Sequence, residues 1–136
     1  MIIAGECLCG KVSYKVTGNL IESSHCHCSM CRRQHGTAFA TYAEVIPEQF
    51  KWTSGEEHIK IYETSHGGGW CFCNACGSTL AGTENGVVTS VTLGTVIGNP
   101  GISPSYHIFV SSKASWYHIS DSLPQFDKRK KNGNST

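Results

Sequence analysis

Residues 26–31 read Cys26-His27-Cys28-Ser29-Met30-Cys31, a C-x-C-x-x-C, and two shorter cysteine groups stand on either side of it. Cys7-Leu8-Cys9-Gly10 lies upstream, and Cys73-Asn74-Ala75-Cys76-Gly77 lies downstream. Two cysteines two apart on an extended segment point to the same side, so both sulfurs can reach one ion. A C-x-x-C turn does the same, and a glycine just after it can take the left-handed conformation that curls the backbone round a metal. A tetrahedral structural zinc needs four ligands. The two groups ending in glycine supply two each, so Cys7, Cys9, Cys73 and Cys76 are read as one closed site tying the start of the chain to its middle. Cys26, Cys28 and Cys31 remain as a three-thiolate cluster whose fourth position could stay open. Three protein ligands plus an exchangeable one is how catalytic zinc is usually held.

Cys71 is the spare among eight cysteines. In Trp70-Cys71-Phe72-Cys73 it points to the same side as Cys73 if the segment is a strand. Two readings stand: a small buried thiol, or a ligand that closes the second site and makes it purely structural. His25, His27 and His35 are further candidates for a fourth ligand or for carrying protons. Reach alone qualifies them, and each can equally be a surface or hydrogen-bonded histidine.

Composition supports metal over disulfides. Eight cysteines in 136 residues fall below the roughly 8–10% that marks small disulfide scaffolds. The length suits one domain with a real core, and 39% apolar against 15% charged residues excludes a disordered chain. Lys128-Arg129-Lys130-Lys131 puts four of the eleven cations into residues 127–136, with one of the ten acids. Residues 1–126 are therefore expected to form a single zinc domain with a slight acidic excess, and 127–136 a basic, flexible tail. Such a body lacks the basic footprint of a nucleic-acid binder. The opening Met-Ile-Ile-Ala-Gly-Glu does not look like a signal peptide, and no apolar run reaches transmembrane length. Clustered thiols then fit a reducing compartment, with the cytoplasm expected.

Period-two patterning dominates. Val12, Tyr14 and Val16 alternate with polar residues, as do His58 to Tyr62 and Val87 to Leu93. Tyr106–Val110 and Ser115–Ile119 are rich in aromatic and β-branched residues and are predicted as strands. Helical turns are predicted at Ser29–His35, Pro47–Phe50 and Leu123–Phe126. The fold class is mainly β.

Taken together, these residues resemble the glutathione-dependent formaldehyde-activating enzyme (GFA) family, which includes centromere protein V. The likeness runs from Gly5-Glu6-Cys7-Leu8-Cys9-Gly10-Lys11-Val12 through His25–Arg33 and Gly36. It continues with Phe72-Cys73-Asn74-Ala75-Cys76-Gly77-Ser78 and ends near His107-Ile108-Phe109 and Trp116. The resemblance implies an Mss4-like fold of short antiparallel sheets around zinc. It also implies a structural zinc on Cys7, Cys9, Cys73 and Cys76 and a catalytic zinc on Cys26, Cys28 and Cys31. The implied chemistry is carbon–sulfur lyase chemistry: glutathione, or a similar small thiol, adds to formaldehyde or a related small aldehyde. Gly67-Gly68-Gly69 and Cys71 are not matched to that pattern.

Arg32 and Arg33, directly after the cluster, are candidates for receiving a substrate carboxylate. The competing class is a non-catalytic, zinc-stabilised protein-interaction module of Mss4-like fold. An open second site favours the enzyme, and a closed one favours the module.

Overall fold

Alternation at period two builds the first sheet. Strand β1 (Ile2–Glu6) buries Ile3 and Gly5, and β2 (Ser13–Thr17) buries Tyr14 and Val16. The two pair antiparallel with Ile3 opposite Val16 and Gly5 opposite Tyr14. A Cβ at Gly5 would land inside the Tyr14 ring, so only glycine lets that ring lie across β1. From there the Tyr14 hydroxyl reaches Thr95 Oγ1 at 2.8 Å. Strand β5 (Phe50–Ser54) joins the far side of β2, and β10 (Val96–Ile97) flanks β1. The computed structural model describes residues 1–130.

The second sheet has seven strands. In spatial order they are β11 (His107–Ile108), β3 (Ser23–Cys26), β4 (Ala40–Glu44), β9 (Val87–Thr92), β8 (Thr79–Glu84), β7 (Gly68–Cys73) and β6 (Ile59–Glu63). All neighbours are antiparallel except β11 and β3, which run parallel. The main core gathers Ile3, Val12, Tyr14, Val16, Leu20, Val45, Leu80 and Val91 with Cys7 and Cys73. A smaller cluster packs Cys26, Cys31, Ala40 and Trp70, with Cys28, Tyr42, Ile108 and Phe109 against it. Each cysteine group is thus built into its own apolar nucleus.

The single α-helix among the described residues, α1 (Ser29–His35), begins where the chain leaves β3. Cys28 is its N-cap and accepts the Cys31 N–H at 3.2 Å, while Gly36 ends it in the left-handed region. The mainly β reading and the helix at Ser29–His35 hold.

Two predicted elements do not form. Ser115–Ile119 is a turn and loop rather than a strand: the Tyr117 ring packs 5.5 Å from that of Phe39, and Trp116 is exposed. Leu123–Phe126 is not helical. His107 donates its N–H to Pro124 O and Phe126 donates to His107 O, both at 2.9 Å, so the segment lies extended along β11. Tyr106–Val110 yields only the short β11, followed by a 3-10 turn at Val110–Ser112. Within the described residues the expected basic tail is also held: Phe109 N–H bonds Lys128 O at 2.9 Å, and the Ser111 hydroxyl bonds Asp127 O at 2.8 Å. The rest of that tail, 131–136, lies outside the described residues.

Candidate metal centres

The first cysteine group comes together from two distant parts of the sequence that meet in the main core. Cys7 follows β1, Cys73 closes β7, and their neighbours Cys9 and Cys76 fold over from the adjoining turns. All four sulfurs lie within 4.8 Å of one another. Cys7 Sγ is 3.6 Å from Cys9 Sγ, and Cys9 Sγ is 3.9 Å from Cys73 Sγ. A tetrahedron with Zn–S bonds of about 2.3 Å has sulfur edges of about 3.8 Å, so this donor set fits such an ion. Gly10 and Gly77 take φ of 79° and 82°, the left-handed turns expected after each pair. Backbone N–H groups then aim at the sulfurs: Val12 to Cys7 at 3.3 Å and Ala75 to Cys73 at 3.4 Å. Bonds from the Ser78 hydroxyl and backbone hold the Cys76 thiol down to about 5, favouring the thiolate a metal needs.

The second group is local. Cys26 ends β3, Cys28 caps α1, and Cys31 lies in its first turn; their sulfurs are also mutually within 4.8 Å. No fourth His, Cys, Asp or Glu joins them among the described residues. Cys28 is pulled down to about 2 by hydrogen bonds from the Cys26 and Cys31 thiols, aided by the Cys31 and Met30 N–H groups. Cys26 is pushed up, because it donates to Cys28 and Cys31 and is buried. One anion shared among three sulfurs is the metal-free arrangement that a divalent cation would replace with three thiolates.

Tyr42 braces this group from β4. Its hydroxyl donates to Cys31 Sγ at 3.3 Å and accepts the Trp70 indole N–H at 2.8 Å. His35 Nε2 lies 2.8 Å from the same oxygen. With the single phenolic proton committed to sulfur, His35 must donate, which fixes its Nε2–H tautomer. His35 is therefore a brace, not a ligand.

The other two histidines face away from the sulfurs into a buried stack. His27 Nε2 is 2.8 Å from His107 Nδ1, and His107 Nε2 is 3.1 Å from both Asp121 oxygens. The carboxylate accepts a hydrogen bond from the His107 Nε2–H. His107 Nδ1 is then an acceptor, and His27 donates from Nε2. His27 Nδ1, buried with no partner, then holds a bare lone pair instead of an orphaned N–H. Burial, the largest cause, lowers His27 to about 4, keeping it neutral. His25 bonds Thr41 Oγ1 at 2.8 Å. Cys71 belongs to neither group; it is buried in β7 opposite Ala81, and burial pushes its thiol up to about 11.

A cavity of about 500 Å³ opens onto the second group. Cys26, Cys28 and Cys31 line it together with Tyr42, Trp70, Phe109 and the Gly67-Gly68-Gly69 turn. Arg32 and Arg33 do not. Arg33 borders a neighbouring hollow with Met30 and Tyr62, and Arg32 Nε is buried without a partner. The arginine that reaches the cavity is Arg129. Neither Arg129 nor Tyr42 was singled out from the sequence, since both arrive through long-range pairing and no local motif marks them.

A mainly β chain carrying two sulfur clusters that could each hold a metal ion, one of them beneath a cavity, has the makings of a cysteine-built metal-binding protein. Residues 2–112 match the family model described as "Glutathione-dependent formaldehyde-activating enzyme", so the chain belongs to the GFA family. A protein of Rhodobacter sphaeroides of known crystal structure superposes with a TM-score of 0.56 at 27% identity, covering 72% of this chain and 92% of that one. No curated protein matches significantly.

Proposed function

We propose that this chain is a zinc-dependent carbon–sulfur lyase that adds glutathione, or a similar small thiol, to formaldehyde or a related aldehyde. One observation carries the reading: the group with only three sulfurs is the group that lines a cavity of about 500 Å³. Zinc held by Cys26, Cys28 and Cys31 would offer its fourth position to a substrate sulfur and lower that sulfur's pKa. The chain's own residues supply the rest. Trp70 and Phe109 wall the sulfur cluster with apolar surface, which limits water beside it. Tyr42 holds Cys31 Sγ in place through its hydroxyl and is itself held by Trp70 and His35. In the reaction a sulfur–carbon bond forms as the carbonyl π bond opens, and the proton lost by the thiol ends on the new hydroxyl oxygen.

The four-sulfur group is assigned a structural zinc, and residues 1–126 are assigned to one zinc domain. No helix among the described residues is long and apolar enough to cross a membrane, and the free thiols fit the cytoplasm. The interaction-module reading would need a fourth protein ligand at the second group.

The test measures adduct formation from glutathione and formaldehyde by exchange NMR with wild-type protein, a folded Cys28→Ser variant and buffer. Acceleration by the wild type alone is expected. Equal rates in all three would refute the formaldehyde reaction.

A further inference from the structure

We infer that Arg129, delivered by the C-terminal segment, is the carboxylate-binding residue of the cavity over Cys26, Cys28 and Cys31. This rests on the thiol-binding reading above and adds the charge class of the thiol. Three observations place the guanidinium.

First, Arg129 lines the cavity that contains the three sulfurs, whereas Arg32 and Arg33 do not. Second, the segment carrying it is laid down by a ladder along β11: Phe126 N–H to His107 O and Val110 N–H to Phe126 O at 2.9 and 3.0 Å, then Phe109 N–H to Lys128 O at 2.9 Å. Lys130 Nζ extends the anchorage, 3.3 Å from Glu22 Oε1 and 4.9 Å from the centroid of the Tyr106 ring. Third, the Arg129 guanidinium carbon sits 5.6 Å from the centroid of the Phe109 ring, which also lines the cavity.

A cation stacked on an aromatic face keeps its N–H edge free for a planar anion. Among the described residues no carboxylate lies within salt-bridge distance of Arg129. A bidentate partner is therefore lacking among the described residues, and a carboxylate on the ligand would supply it. Glu84 lines the same cavity, so the walls carry a fixed charge of each sign, which suits a zwitterionic thiol over a polyanion. The matched family segment stops at residue 112, so Arg129 lies outside it.

The experiment titrates zinc-loaded full-length protein with three thiols by calorimetry: glutathione, 3-mercaptopropionate and cysteamine. Arg129→Gln should weaken both carboxylate-bearing thiols about tenfold, leave cysteamine within about twofold, and be partly rescued by Arg129→Lys. A loss shared by all three thiols, or no loss for any, would overturn the assignment while leaving thiol binding intact. Failure of every thiol to bind the wild type would instead overturn the thiol-binding reading itself, and this inference with it.

Discussion

The two cysteine groups use the same donor atom and differ in what the chain must do to bring it together. Cys7 and Cys9 meet Cys73 and Cys76 across more than sixty residues of sequence, with Cys9 Sγ and Cys73 Sγ at 3.9 Å. Cys7 and Cys73 are also part of the main core, so assembling the site and assembling the fold are one event. Cys26, Cys28 and Cys31 lie within six residues and are gathered by a strand end and a helix cap. That group needs only local structure. It is also the one that faces open space, where a ligand can approach. A four-sulfur group anchored in the core through Cys7 and Cys73 and a three-sulfur group under a cavity are, on the proposed reading, a structural and a reactive centre.

The largest effect should come from breaking the distant group. Metal-binding free energy at such a site is largely folding free energy, about 10–16 kcal/mol for structural zinc in small peptides. Cys7→Ser or Cys76→Ser should abolish soluble, folded protein, whereas Cys28→Ser should retain the β circular dichroism signature. A Cys76→Ser protein with an unchanged melting temperature would erase the distinction between the two groups.

A smaller effect sharpens the comparison from the second group's side. Tyr42→Phe removes the donor to Cys31 Sγ and strips the Trp70 and His35 N–H groups of their acceptor. Outer-sphere losses of this kind typically cost about 10–100-fold in metal affinity, and an orphaned buried donor costs about 1–3 kcal/mol. Competitive chelation should show weaker binding of one metal only, with a modestly lowered melting temperature. Equal weakening of both metals would show that the groups are coupled through the sheet.

Much of this was legible in the sequence because it is local. The C-x-C and C-x-x-C spacings fix which sulfurs share a side, and Gly10 and Gly77 take the left-handed turns that those spacings require. Ser29–His35 is bounded by a cap at Cys28 and a stop at Gly36, both short-range signals. The illegible parts depend on distant partners. Leu123–Phe126 carries a turn-like Pro and Gln, yet the open edge of β11 draws it into an extended ladder. Ser115–Ile119 has strand composition, but Tyr117 packs on Phe39 while Trp116 stays exposed. Asp121, Tyr42 and Arg129 gain their roles only when sheet pairing carries them to His107, Cys31 and the cavity. Arg32 and Arg33 directly follow the cluster in sequence, yet neither lines the cavity that holds it, and Arg33 borders the neighbouring hollow instead.

The most direct test of the division between the two centres is graded chelation, with bound zinc counted and circular dichroism recorded on the same samples. Mild chelation should release about one zinc per chain with the β signature intact, and thiol binding should disappear with that first metal. Stronger chelation should release the second metal and unfold the protein together. Loss of both metals in one step, coincident with unfolding, would contradict the account and show that the second centre is closed like the first.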